Sequence, residues 1–169
     1  MASEYLLREA KAEDDGAVGA LLVEAFVTQY AKKMPEVVVT ERRKATLRDV
    51  AAKRAAAKVW VAECRGRVVG TVAMWAPGAE GSESWLEGVP DLRHLAVDPA
   101  HAGKGVSTLL LDGAEAWARA QGYRAVCLHV RRGARGVGVL YERRGYQRRP
   151  EGDRDALPEV FLEGYVLSL

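Results

Sequence analysis

Leu95-Ala96-Val97-Asp98-Pro99-Ala100-His101-Ala102-Gly103-Lys104-Gly105-Val106-Ser107-Thr108-Leu109 is the stretch on which the fold turns. An apolar strand closes at Asp98-Pro99, a short loop holds two glycines, and an amphipathic helix starts at once. Glycine lets the backbone take positive φ and approach a ligand closely. The first turn of the helix adds N–H groups without carbonyl partners and the positive end of its dipole, and together these make an anion site. Two other glycine-loop readings fail on the letters. A Walker A loop requires Lys followed by Ser or Thr and a glycine upstream, but Lys104 precedes Gly105 and the upstream position is Asp98. A dinucleotide fingerprint requires a third glycine where Thr108 stands. Taken alone, the loop also fits an ordinary glycine turn that feeds a helix.

Outward from this stretch the chain alternates between strand and helix patterns. Tyr5 to Glu9 reads as a short strand, and Glu13, Asp14 and Asp15 supply the negative first turn that a helix favours. Val18, Leu21, Leu22, Ala25, Phe26 and Gln29 recur at helical spacing, and Lys33-Met34-Pro35 breaks that helix. An alanine-rich, basic stretch from Thr40 to Ala57 reads as a second helix. Val59 to Ala62 and Val68 to Trp75 read as two strands of a hairpin joined through Arg65-Gly66-Arg67. After the Gly/Ser/Pro-rich loop from Pro77 to Ser84 comes the strand Leu92 to Val97. The helix from Gly105 to Gln121 shows Val106, Leu109, Leu110, Ala114, Trp117 and Ala118 on one face, and Gly122 ends it. Ala125 to Val130 is a strand, Val137 to Arg144 a short helix ended by Gly145, and Val160 to Leu169 a final strand. Hairpins early and helix crossovers late predict a mixed sheet with helices on both faces, in one domain over residues 1–169.

Bulk properties exclude several classes of function. With 25 basic against 23 acidic residues the net charge is near zero, so no global polyanion partner is indicated. Arg131, Arg132, Arg135, Arg143, Arg144, Arg148 and Arg149 crowd one stretch, which reads either as a solvated surface or as a phosphate-facing patch. The two cysteines, Cys64 and Cys127, have no metal-ligand spacing, and His94, His101 and His129 form no H-x-x-x-H pair, so a metal site is not expected. Cys127, between Val126 and Leu128, reads as a core residue. The N-terminus lacks a secretory signal and no apolar run approaches a membrane span, so a cytoplasmic location is expected.

The loop and a second motif together resemble the GNAT superfamily of acetyltransferases. Its phosphate-binding pattern, Q/R-x-x-G-x-G/A after a strand of the form L-x-V-x-P, falls on Ala102-Gly103-Lys104-Gly105-Val106-Ser107. Ala102 replaces the usual Gln or Arg, Ser107 replaces the last Gly or Ala, and the central Gly105 is present. Val139-Leu-Tyr-Glu-Arg-Arg-Gly-Tyr146 is similar to the family's L-Y-e-x-x-G-F/Y signature, with Ala134 where the family usually has Asn. The resemblance spans nearly the whole chain. It implies a GNAT-like α/β (α+β) fold with a mixed, mostly antiparallel sheet of six to seven strands between helices. It implies acetyl-CoA as cosubstrate and a small-molecule or peptide amine as acceptor. Main-chain groups of Ala102, Gly103, Lys104, Gly105, Val106, Ser107 and Thr108 would hold the diphosphate, and those of Leu95, Ala96 and Val97 the pantetheine amides, through a splay between this strand and Ala125–Val130.

Direct attack of an amine on a thioester sets two proton tasks. Tyr141 matches the family tyrosine that protonates the departing thiolate, and an unperturbed phenol is protonated at neutral pH. For the base, some branches place a carboxylate four residues before the L-x-V unit, which falls on Asp91; a surface carboxylate at a strand start is the other reading. Histidine has a suitable intrinsic pKa, which brings His94 into consideration as the base. Strict alternation, however, puts Asp91, Arg93 and Leu95 on one face and Leu92, His94 and Ala96 on the other, which favours a core or supporting role for His94, as for His129. Phe26, Tyr30, Met34, Trp75 and Trp85 are plausible acceptor-pocket residues, though each taken singly reads more readily as core packing. A non-catalytic acyl-CoA-binding or sensor module is the alternative function, and nucleic-acid binding through the arginines a remoter one. The acceptor, the acyl chain length and the choice between monomer and homodimer stay open.

Overall fold

The computed structural model describes residues 4–29, 39–134, 136–157 and 160–169. The expected break at residues 33–35, together with Tyr30, Met34 and Arg135, lies outside them. Strand β1 (Tyr5–Glu9) leads into α1 (Asp15–Val23), which widens into a π-helical turn over Glu24–Gln29. The basic stretch forms two helices, α2 (Glu41–Arg48) and α3 (Val50–Ala56), rather than one. Asp49 causes the break. Its ψ of 66° is not helical, and its carboxylate accepts from the Ala52 N–H as the cap of α3. Strands β2 (Ala57–Cys64) and β3 (Arg67–Trp75) form the expected hairpin, whose two-residue turn has positive φ at Arg65 and Gly66. Then come β4 (Asp91–Val97), α4 (Val106–Ala120), β5 (Ala125–Arg131), α5 (Val137–Arg143), β6 (Gln147–Arg148), β7 (Arg154–Leu157) and β8 (Val160–Ser168).

The strands make one mixed sheet in the order β1-β2-β3-β4-β5-β8-β6, with β7 also pairing β8. Every neighbouring pair is antiparallel except β4–β5. Eight strands are described against six to seven expected, because β6 and β7 are too short and polar to show alternation. Helices α4 and α5 cover one face over a core that includes Val72, Met74, Leu92, Leu110, Leu111 and Leu128. Helices α1, α2 and α3 cover the other, over Val18, Leu22, Leu47, Val50, Val61 and Ala96. Close approach fixes the start of α4 against β3, since a Cβ on Gly70 would lie 2.8 Å from Val106 and 2.9 Å from Leu110.

Two irregularities shape the middle of the sheet. β4 and β5 pair at a single position, Asp91 with Cys127, and diverge beyond it. Between Ala73↔Arg93 and Thr71↔Ala96 the register slips, so β4 carries one residue more than β3. His94 sits in this bulge with φ +62°. The bulge overturns the strict alternation. Leu95 and Val97 pack toward α4 and α5 with Leu92, whereas His94 meets Trp75 and Phe26 on the face of Arg93.

Candidate functional site

The glycine loop is built by its own backbone. The Asp98 carboxylate accepts from the Ala100 N–H at 2.9 Å, and the turn Pro99–His101 closes with His101 N–H donating to the Asp98 carbonyl. Ala102 donates its N–H to the Pro99 carbonyl at 3.2 Å, so that donor is already engaged. From Gly103 onward the donors change character. Gly103 and Gly105 have φ of +73° and +83°, no side chain caps α4, and no acceptor takes the N–H groups of Gly103, Lys104 or Gly105 among the described residues. The first-turn N–H groups of Val106, Ser107 and Thr108 have no carbonyl one turn back to bond. A Cβ on Gly103 or Gly105 would meet nothing within 4 Å, so backbone conformation rather than crowding calls for glycine there. Unspent donors, open space and the positive end of a fifteen-residue helix suit a polyanion.

The parallel strands β4 and β5 send α4 and α5 from the same end of the sheet, and an open sheet binds ligands in such a crevice. Leu95, Ala96 and Val97 lie along β4 where β5 has already turned away; Thr71 and Gly70 of β3 pair with Ala96 and Val97 on the opposite side. On α5, Tyr141 is 7% exposed and packs edge-on to Tyr146 at 5.3 Å. Tyr146 is buried and donates to Glu115 at 3.1 Å; burial, with the charge of Glu115, pushes its phenol up. Arg144 also grips Glu115 and reaches Asp112, tying α5 to α4.

The arginine stretch is largely spent on carboxylates. Arg148 pairs with Asp153 and Glu163, Arg132 approaches Glu163 and stacks on Phe161, and Arg149 lies 3.9 Å from Glu151. Both thiols are buried, and burial raises them, Cys127 to about 11. His129 is held through Nε2 to the Gly152 carbonyl at 2.8 Å, beneath Trp85. Trp85 itself packs on Gly152 and Gly164, in a different apolar cluster from Phe26 or Trp75. Among the described residues no group of three or more His, Cys, Asp and Glu side chains gathers as a metal site, and no helix is long and apolar enough to cross a membrane.

Asp91 is 1% exposed. Ser82 Oγ and the Glu83 N–H donate to one oxygen, and Arg93 Nε donates to the other at 2.8 Å. Burial raises its carboxyl against the pull of Arg93. With both oxygens engaged, Asp91 anchors the loop over residues 76–90 to the start of β4. Three residues on, His94 makes a contact that alternation alone did not reveal. Its Nδ1 lies 3.3 Å from Nζ of Lys53 on α3, and Phe26 and Trp75 stand at 6.0 and 5.5 Å. Lys53 is 8% exposed, and no carboxylate pairs with it among the described residues. Burial, with Arg93 and Arg43 nearby, pushes its ammonium down to about 8 and holds the imidazole well below its usual range. The sequence carries one signal of this pair: Leu47, Val50 and Lys53 share a three-residue spacing, which sets a lysine on the apolar stripe of the second helical stretch.

Residues 55–148 match the acetyltransferase (GNAT) domain family. Among solved structures, an acetyltransferase of the GNAT family from Staphylococcus aureus Mu50 has a TM-score of 0.75 at 13% identity, over 98% of this chain and 99% of that one. PaiA N-acetyltransferase from Thermoplasma acidophilum, solved with coenzyme A, has a TM-score of 0.68 at 14% identity, over 95% and 97% of the two chains. A GNAT family acetyltransferase from Elizabethkingia anophelis with acetyl-CoA bound gives 0.66 at 13%, over 99% and 100%. At these identities the likeness is one of fold. No curated protein sequence matches the chain.

Proposed function

The chain belongs to the GNAT acetyltransferase family, whose domain match spans more than half its length, and from that premise we propose that it moves the acetyl group of acetyl-CoA onto a primary amine by direct attack in a ternary complex. Acetyl-CoA is the acyl donor, in keeping with neighbours solved with coenzyme A or acetyl-CoA. The observation that carries the reading in this chain is the uncapped start of α4, where Gly103 and Gly105 turn the backbone through positive φ and leave its donors unspent. Main-chain N–H groups from Gly103 to Thr108 hold the diphosphate, with the Lys104 ammonium beside them. Ala102 helps to shape the turn instead of donating. Main-chain groups of Leu95, Ala96 and Val97 take the amides of the pantetheine arm as an added strand would, in the gap beside β5.

At neutral pH an alkyl ammonium with a lysine-like pKa of about 10.4 costs roughly 4.6 kcal/mol to deprotonate, so the enzyme must supply a proton acceptor. It must also protonate the sulfur that leaves. Tyr141 is the donor in this reading, a phenol held on α5 at the end of the sheet where the glycine loop also lies. Asp91 serves as the loop anchor rather than the base, because Ser82, Glu83 and Arg93 occupy its oxygens. The test is thiol release from acetyl-CoA across a polyamine, an aminoglycoside, free amino acids and short peptides. One class should turn over, and Tyr141→Phe should cut kcat about a hundred-fold or more while calorimetry finds acetyl-CoA binding intact. Tight acetyl-CoA binding with no thiol release from any amine would instead mark a non-catalytic acyl-CoA-binding module.

A further inference from the structure

We infer that His94 and Lys53 form a proton relay that accepts the proton of the acceptor ammonium, an inference that rests on the amine-acetylation reading above. Three observations place the pair. The strand edge along Val97, Ala96 and Leu95 runs back from the glycine loop to His94, so an arm laid along it from the loop is directed toward the imidazole. The bulge turns His94 off the core of α4 and α5 and onto the face that Phe26 and Trp75 line. Behind His94, Lys53 is buried with the imidazole at 3.3 Å and no carboxylate paired to it among the described residues. A structural lysine in such a place would pair with an acid or extend its ammonium to water.

The relay balances without a further reactant. Neutral Lys53 accepts a hydrogen bond at Nζ from the Nδ1–H of His94, which leaves a lone pair on Nε2. The acceptor ammonium gives one proton to Nε2 while the Nδ1 proton passes to Lys53. The imidazole stays neutral with its tautomer switched, and Lys53 becomes ammonium. The freed amine forms the C–N bond as the C–S bond breaks, and the second amine proton reaches the sulfur through Tyr141. Lys53 then returns its proton to solvent, so each turnover yields an amide, a thiol and one proton. The depressed basicity of Lys53 suits this work near neutral pH.

The charged groups that face the pair are Arg43 on α2, Arg93 on β4 and Asp15 on α1. Arg93 is held by Asp91 and Glu83, and Asp15 by Arg54. Burial, together with the two cations, therefore lowers the basicity of Lys53 and holds the imidazole neutral. Asp15 opposes this only weakly, and no acid pairs with either group among the described residues.

Lysine Cε and histidine ring-nitrogen NMR on the whole chain, from about pH 6 to 10, tests the pair without any acceptor. One lysine signal should titrate well below the others and vanish in Lys53→Met, and His94 should exchange Nδ1 for Nε2 protonation with the same midpoint. A His94 tautomer that holds across the range, or a Lys53 that titrates with the surface lysines, overturns the relay. With the best amine of the panel, Lys53→Met should keep acetyl-CoA affinity within about two-fold, lose about ten-fold or more in kcat/KM, and lose the acid inflection of its pH profile. Wild-type turnover with that inflection intact in Lys53→Met overturns the relay alone. A wild-type chain that binds acetyl-CoA and acetylates no amine overturns the reading beneath it.

Discussion

Gly105 combines φ of +83° with open space around its missing side chain, so a substitution there acts through the backbone alone. Gly105→Ala should cost about 1 kcal/mol of stability and, by re-aiming the donors of the first turn of α4, weaken acetyl-CoA binding roughly ten-fold. Calorimetry against a thermal melt separates the two effects, and an unchanged affinity would remove the loop from the binding surface. Asp91 behaves differently because it is enclosed. Asp91→Asn keeps the shape but loses the charge that Arg93 pairs with, and should lower stability by about 1–3 kcal/mol. Proteolysis within residues 76–90 should quicken in that variant, and a cleavage rate equal to wild type would show that other contacts hold the loop.

At the scale of elements, α5 is tied to α4 by one buried cluster. Glu115 takes two bonds from Arg144 and one from the Tyr146 hydroxyl. Glu115→Ala should cost about 2–3 kcal/mol, since Arg144 keeps Asp112 while Tyr146 is left without an acceptor. Chemical denaturation measures that loss, and a change under about 0.5 kcal/mol would mean that the cluster does not couple the helices. Elements such as these were legible in the sequence where their period was long enough. The hairpin of β2 and β3, the apolar face of α4 and the Gly145 stop after α5 all follow from spacing. The split at Asp49 was hidden because alanine-rich helix continues on both sides of a single capping residue. The bulge at His94 was hidden for a stronger reason: alternation contains no mark of an inserted residue, and β4 is too short for the reversed parity to show. So the residues of the glycine loop could be named from the letters, whereas the Lys53–His94 contact needed three dimensions.

For the molecule as a whole, pH acts on stability from both ends. Asp14, Asp15 and Asp153 are held below the usual carboxylate range by hydrogen bonds from Arg8, Arg54 and Arg148. Their contribution is complete above the unfolded value near 3.8 and disappears as pH falls through their lower folded values. Lys53 runs the other way. Its folded value of about 8 lies below the ordinary 10.5, so between the two the unfolded chain binds the extra proton and stability rises with pH. Wild type should gain up to about 3 kcal/mol over Lys53→Met across that interval, read as the difference of two denaturation series. Parallel series would mean that Lys53 is charged in the folded chain. The single Asp91–Cys127 rung between β4 and β5 bears on the mechanics of the sheet. It makes the sheet two antiparallel panels stitched at one point, a seam whose lips are backbone amides. Hydrogen exchange should be fast along those lips in the free chain and slow sharply once acetyl-CoA is added, as though the cosubstrate were the missing stitching.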